Sequence, residues 1–244
     1  PWVIPEETPT HSVSLRVTVH SDIDCAAVQL AIEDAEQVQL RWNGQPVPSA
    51  VTGWYVDKSI QTVALPGLHK GENTLEAVIP FGERTNIEWM YLLGEFGVAV
   101  EGAAARIVPL PKTLRFGDIT KQGLPFYGGN VTYHIPLETH GGALTVTAPR
   151  YRGVLQTATL DGGAEQALIF PPYTAALGHP AAGSHTLDMT LYGHRRNSFG
   201  PIHLADQTTR WIGPNAWRTT GAEWNDNYML TEEGILTPPT VTEA

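Results

Sequence analysis

Apolar and polar residues alternate with a period of two along most of this chain. Each alternating segment has one apolar and one polar side, which is typical of strands in antiparallel sheets packed face to face. The pattern therefore predicts an all-β fold of two antiparallel β-sandwiches. The predicted strands cover residues 13–19, 28–33, 38–42, 74–79, 131–137, 144–147 and 187–191.

One sequence pattern occurs twice. A strand ends in Asn43-Gly44 or Asp161-Gly162, an aromatic-bearing loop follows, and a glycine then leads into another alternating strand. Asn-Gly and Asp-Gly favour tight hairpin turns because the central residues need positive φ. The chain therefore reads as one sandwich unit written twice. The copies comprise residues 38–44, 53–57 and 68–75, and residues 157–162, 171–173 and 182–187.

Prolines mark the expected boundary between the units. Pro109 and Pro111 interrupt the strand pattern. We place the first sandwich at 1–113, the second at 114–236, and a flexible tail at 237–244. Residues 228–236 are expected to form the last strand. Residues 84–93 fit a strand or a short helix equally well.

Composition narrows the classes of partner. The chain has 244 residues, 42% of them hydrophobic, and a net charge of −10. An acidic chain repels nucleic-acid phosphates, whereas neutral sugars remain compatible. One cysteine excludes an internal disulfide and leaves the compartment open. No apolar run is long enough to span a membrane. Because the chain starts at Pro1 without a methionine or signal segment, we expect it to be part of a longer polypeptide or a processed product.

Several segments carry a family resemblance. In the second half they are 123–133, 191–197, 200–203, 211–214 and 224–228, and in the first half 30–33, 53–57 and 91–98. The chain resembles the C-terminal, galactose-binding-like region of large bacterial glycoside hydrolases of the α-L-rhamnosidase type. The resemblance implies two jelly-roll sandwiches that accompany a separate catalytic domain in the same polypeptide. It does not imply that this region cleaves glycans.

Aromatic side chains give the best functional signal, because sugar rings stack on flat rings while polar groups bond their hydroxyls. Trp42 alternates into the core. The carbohydrate-binding candidates in the matching loops of the two copies are Trp54, Tyr55 and Asp57 in the first and Tyr173 in the second. Tyr192 is a further candidate, followed by Arg195 and Asn197, which can bond hydroxyls. Trp211, Trp217 and Trp224 are expected to anchor the long C-terminal segment or to pack against a further domain.

Catalytic and metal motifs are weak. Glycoside hydrolysis needs two facing carboxylates, for which the candidates are Glu33, Asp57, Glu88, Glu95 and Asp118. The sequence places no two of them together, so no catalytic residue is predicted. No zinc motif occurs, although His194 and His203 lie near Asp206. No cofactor is predicted, but a structural calcium ion remains open, with Asp22, Asp24, Glu33 and Asp226 as candidate ligands.

Three functions remain open. The region binds carbohydrate through loop aromatics, or it braces the catalytic domain without binding a ligand. A stand-alone enzyme with paired carboxylates is the third alternative. We favour a non-catalytic accessory region of a multidomain glycoside hydrolase.

Overall fold

A computed structural model describes residues 8–85, 87–208 and 212–244. The chain forms two compact units. The first consists of Pro1–Gly97 with Ala105–Leu110, and the second of Val98–Ala104 with Pro111–Ala244. Nearly all regular structure is β, which confirms the predicted fold class. Within the described residues, no helix is both long enough and apolar enough to cross a membrane.

The first ten strands belong to two sheets, with strand orders β4-β3-β7-β1-β10-β9 and β5-β6-β2-β8. Strand β10 pairs in parallel with β1 at Ser21 and Ile107, and β1 pairs antiparallel with β7. The strands are β1 (His11–Ser21), β2 (Val28–Glu33), β3 (Gln39–Trp42), β4 (Gln45–Val47), β5 (Val51–Tyr55), β6 (Asp57–Leu65), β7 (Gly71–Phe81), β8 (Tyr91–Gly94), β9 (Gly97–Glu101) and β10 (Ala104–Val108).

The second unit also has two principal sheets, ordered β11-β17-β14-β15 and β16-β12-β19, with β13 paired to β18. One short helix, α1 (Arg196–Phe199), follows β17. The strands are β11 (Val131–Thr139), β12 (Leu144–Thr147), β13 (Tyr151–Arg152), β14 (Leu155–Leu160), β15 (Gln166–Ala167), β16 (Thr174–Gly178), β17 (Gly183–Tyr192), β18 (Gly234–Ile235) and β19 (Thr240–Glu243). Short 3-10 helices cover Ala35–Gln37, Ile119–Gln122 and Pro214–Trp217.

Each unit has a core of alternating side chains from both of its sheets. In the first unit, Trp42 is buried as predicted, and its indole nitrogen donates to the carbonyl of Gly67 at 2.7 Å. In the second unit, ten buried side chains form a hydrophobic cluster. Burial of these side chains stabilises each sandwich mainly through the hydrophobic effect. The cluster comprises Tyr133, Val146, Ala148, Ala158, Leu168, Ala175, Leu187, Met189, Leu191 and Ile235.

The turn and the central strand of the predicted repeat recur in the strand register, whereas the aromatic segment expected as a loop at 53–57 is instead part of β5 and β6. The central strand, β7 or β17, lies between an earlier strand, β1 or β11, and the strand that ends at the Asn-Gly or Asp-Gly turn. Both turn residues, Asn43 and Asp161, have positive φ, at 50° and 49°. The matching residue pairs also stand at the same spacing along each central strand. They are Ser21 with Gly71 and Trp42 with Leu75, and Thr139 with Gly183 and Leu160 with Leu187.

The predictions for the loop at 84–93 and for the C-terminus need correction. The described part of 84–93, which leaves out residue 86, forms no helix, and the segment enters β8 at Tyr91. The strand expected over 228–236 is reduced to Gly234–Ile235. The predicted flexible tail at 237–244 instead contains β19, whose backbone pairs with β12 along its whole length. As an edge strand, β19 forms backbone hydrogen bonds that a free tail would make with water instead. Its partner β12 is distant in the chain, so the local sequence around 237–244 does not indicate the pairing.

Candidate functional site

Tyr192, at the end of β17, is oriented by a carboxylate. Its hydroxyl donates to Oε1 of Glu165 at 3.0 Å, and the same oxygen accepts the hydroxyl of Thr157 at 2.7 Å. The hydrogen bond to Glu165 raises the pKa of the Tyr192 phenol. The ring is therefore held neutral and in a fixed orientation at the end of the four-stranded sheet.

The side chains next to Tyr192 on the same sheet face carry hydroxyl and other polar groups. Thr190 lies opposite both Thr132 and Thr157 in the strand register, and the hydroxyls of Thr132 and Thr190 are 2.9 Å apart. In the next row, Nδ1 of His134 lies 2.7 Å from the carboxylate of Asp188. Because side chains alternate between faces, this polar face is the one directed away from the core.

Three large apolar side chains near the ends of β14 and β15 are exposed. Val154, Ile169 and Phe170 are 71%, 55% and 78% exposed. The amide of Leu168 donates to the carbonyl of Gln156 at 3.0 Å, which extends the β14–β15 ladder.

Tyr173, the candidate in the matching loop, lies against the core. Its ring meets that of Tyr151 edge-on at a centroid distance of 5.6 Å, and it packs on the buried cluster of the second unit. Its φ is 58°, and its amide donates to the carbonyl of Phe170 at 2.7 Å. A tight loop therefore turns this ring toward the protein.

Asn197 and Arg195 occupy different environments. Asn197 is 3% exposed, and its amide group brackets the backbone of Thr231. Its nitrogen donates to the Thr231 carbonyl at 2.8 Å, and its oxygen accepts the Thr231 amide at 2.9 Å. Arg195 is exposed and precedes α1. The structure thus gives Asn197 a clamping role between two segments of the second unit.

In the first unit, Tyr55 contacts Tyr91 across the four-stranded sheet. The ring centroids are 5.5 Å apart at an interplanar angle of 52°, and burial raises the pKa of Tyr91 to about 12. The carboxylate of Asp57 accepts the amide and the hydroxyl of Ser59, each at 2.9 Å. Trp54 is exposed on β5. These three candidates lie on consecutive strands of one sheet.

Carboxylates gather beside this aromatic pair. Burial raises the pKa of Glu33, and the charges of Glu88, Asp34 and Asp57 add to the effect in that order. Three of the carboxylates considered for catalysis therefore lie near one another. Asp118 belongs to the second unit, where it caps the 3-10 helix at Ile119–Gln122 by accepting the amide of Thr120 at 3.1 Å.

A buried carboxylate that sequence reasoning missed lies in the second unit. Glu233 is 1% exposed, and its Oε1 accepts the amide of His194 at 2.9 Å. Within the described residues, its Oε2 has no hydrogen-bond partner, and the nearest base is Nδ1 of His194 at 3.7 Å. Burial raises the pKa of Glu233, while His194 opposes the shift. No alternating pattern surrounds Glu233, so nothing local indicated its burial.

The candidate metal ligands are dispersed. Among the described residues, no three His, Cys, Asp or Glu side chains are close enough to hold a metal ion. Asp22 pairs with Arg106 at 3.1 Å, and Asp24 accepts the amide of Lys70 at 2.9 Å. Asp226 accepts the indole nitrogen of Trp224 at 2.7 Å.

The tryptophans of the C-terminal segment have different positions. Trp224 stacks on His203 at a centroid distance of 4.3 Å. Trp217 ends the last 3-10 helix and is exposed. Trp211 lies outside the described residues. Trp224 thus anchors part of this segment within the second unit, as the sequence analysis predicted for one of its alternatives.

No protein family and no curated protein matches this sequence. A rhamnosidase from Novosphingobium sp. PP1Y has a structural likeness with a TM-score of 0.38 and 15% identity, covering 93% of this chain and 22% of that chain. An anti-sigma factor domain-containing protein from Clostridium clariflavum gives a TM-score of 0.21 and 12% identity, covering 77% of this chain and 76% of that chain. Both likenesses are weak. This chain spans about a fifth of the length of the rhamnosidase.

Proposed function

We propose that this chain is a non-catalytic accessory region of a multidomain glycoside hydrolase and binds carbohydrate on the sheet face that carries Tyr192. The observation behind the proposal is the Tyr192 phenol, held by Glu165 at 3.0 Å beside a row of threonine hydroxyls. A fixed ring costs little conformational entropy when a ligand stacks on it. Adjacent hydroxyls can exchange hydrogen bonds with those of a sugar.

The charge of the chain favours a neutral ligand. The net charge of −10 disfavours the approach of polyanions to the protein as a whole. The polar groups beside Tyr192 are mainly hydroxyls, which donate and accept hydrogen bonds without requiring a charged partner. A neutral glycan therefore suits this face better than a phosphorylated or sulfated one.

Titration calorimetry and affinity gels with neutral polysaccharides test the proposal. Tyr192→Ala removes the ring and is expected to abolish binding at this face. Tyr192→Phe keeps the ring but loses the bond to Glu165, so it should weaken binding less. Tyr127→Ala, which removes another exposed tyrosine, serves as the matched control. Unchanged binding by Tyr192→Ala would contradict the proposal.

A second candidate function is bracing of a neighbouring domain. The exposed neighbours Ile169 and Phe170 favour it, because adjacent large apolar side chains left in solvent can mark an interaction surface. In the full polypeptide, Phe170→Ser would then increase proteolytic cleavage between this region and the rest while leaving polysaccharide binding intact. Loss of binding without a change in cleavage would favour a ligand role for these side chains instead.

A further inference from the structure

We propose that the first unit carries a second ligand site, a groove on the outer face of its β4-β3-β7-β1 strands that takes a neutral, polyhydroxylated ligand. The ligand class rests on the proposed carbohydrate-binding function. The position of the site rests on geometry of its own. The groove has a volume of about 830 Å³ and is lined by residues of β1, β3, β4 and β7.

A row of charged side chains crosses the groove. In the strand register, Glu76 on β7 lies between Arg16 on β1 and Arg41 on β3. In the adjacent row, Val78 lies between Ser14 and Gln39. Side chains of one row share a face, so the guanidinium groups, the carboxylate, the amide and the hydroxyl all border the same space.

The polar groups of the groove are only loosely engaged with one another. Nε of Arg16 is 3.9 Å from the Glu76 carboxylate, which is too long for a hydrogen bond. Arg41 donates through one nitrogen to the carbonyl of Gly44 at 3.2 Å, and its other donors remain available. Among the described residues, the side chains of Ser14 and Gln39 have no hydrogen-bond partner. A ligand can therefore form bonds here without displacing internal ones.

In the second unit, the side chains at the equivalent positions are bonded to one another. Thr132 and Thr190 are joined hydroxyl to hydroxyl at 2.9 Å, and His134 bonds Asp188 at 2.7 Å. By the shared register, these rows correspond to the row of Ser14 and the row of Arg16. In the first unit, Val78 stands in the place of Thr190 and cannot bond Ser14, and Nε of Arg16 stays 3.9 Å from the Glu76 carboxylate.

The charges within the groove balance. Arg16 and Arg41 contribute two positive charges, and Glu36 and Glu76 contribute two negative charges. An anionic ligand would gain from the arginines and lose against the carboxylates. A polyol uses both kinds of group, since guanidinium donates to hydroxyl oxygens and carboxylate accepts hydroxyl protons. The balance therefore points to a neutral sugar chain.

Binding stoichiometry tests the inference with the whole chain. A short neutral oligosaccharide that binds the wild-type chain should bind at two sites by titration calorimetry. Arg41→Ala should weaken one site roughly tenfold or more and leave the other, because it removes charge-assisted donors. Tyr192→Ala should have the complementary effect. Lys70→Ala, which removes an exposed positive charge outside the groove, should behave like wild type.

The failures of the two proposals differ. A single site that is lost in Tyr192→Ala and unaffected by Arg41→Ala would overturn the second site and leave the proposed function intact. A single site lost in Arg41→Ala and unaffected by Tyr192→Ala would support the groove and overturn the Tyr192 face. Absence of binding by the wild-type chain across neutral glycans would overturn both.

Discussion

Oδ1 of Asp161 accepts the backbone amide of Thr186 at 2.8 Å. In the first unit, Oδ1 of Asn43 accepts the amide of Thr74 at the same distance. Each bond joins the residue before the turn glycine to the first half of the central strand, β7 or β17. Each turn residue also bonds a side chain of the central strand, and here the two units differ. Asn43 bonds Asn73 in the first unit, whereas Asp161 bonds His185 in the second.

The Asp161–His185 pair makes one part of the fold sensitive to pH. Its hydrogen bond lowers the pKa of Asp161 from 3.8 and raises the pKa of His185 from 6.5. The contribution of His185 is complete below its unfolded pKa and is lost as pH rises through the higher folded value. The contribution of Asp161 is lost as pH falls through its lowered folded value.

We therefore expect the double variant Asp161→Asn/His185→Asn, which copies the first unit, to have a flatter stability profile. Thermal midpoints measured from pH 5 to 9 should converge with those of the wild-type chain at high pH. His179→Asn, at an exposed histidine with no hydrogen bond to a described residue, is the control and should follow wild type. Parallel curves for the double variant and wild type would show that the pair does not couple to folding.

Asn197 is predicted to stabilise the fold. Asn197→Ala leaves the amide and carbonyl of Thr231 without their partner, which should lower the free energy of unfolding by about 1–3 kcal/mol. Chemical denaturation measures the loss, and Asn130→Ala, at an exposed asparagine, should have little effect. If Asn197→Ala instead weakened glycan binding with stability unchanged, the clamp would be the wrong interpretation.

The buried Glu233 is expected to reduce stability as pH rises. Its folded pKa lies above 4.5 because burial disfavours the charged form, with Asp118 adding to the shift and His194 opposing it. Between the unfolded and folded pKa values the native state binds more protons, so stability falls with increasing pH. Glu233→Gln should remove this decline. Denaturation at pH 4.5 and pH 7 compares the two proteins, and an equal decline in both would contradict the assignment.

The C-terminal strand is expected to be part of the folded unit. Glu243 accepts the amides of His140 and Gly142, both at 2.7 Å, in addition to the backbone pairing of β19 with β12. A chain ending at Pro239 should therefore melt at least about 2–4 °C lower, the shift that 1 kcal/mol produces at this size. Thr242→Ala keeps the strand and should melt like wild type. An unchanged midpoint of the shortened chain would mean that β19 adds no stability.

The candidate site was only partly predictable from sequence. Tyr192 stood out as an aromatic residue near polar ones, and the structure places it at a sheet end with Glu165. Glu165 itself gave no signal in the sequence. It follows a glycine turn and lies twenty-seven residues before Tyr192 in the chain. Tyr173 looked equivalent in sequence, yet its loop turns the ring onto Tyr151. Local sequence does not specify which way such a loop faces.

The sequence by itself determined the all-β class, several strands including β1, β7, β11 and β17, and the duplicated turn, because alternation and the Asn-Gly and Asp-Gly preferences act between neighbouring residues. Tertiary structure alone decided that residues 240–243 join a sheet, that the Asn197 side chain hydrogen-bonds the backbone of Thr231, and that Glu233 is buried. Each of these depends on residues distant in the chain that come together only when the strands pair and the cores pack.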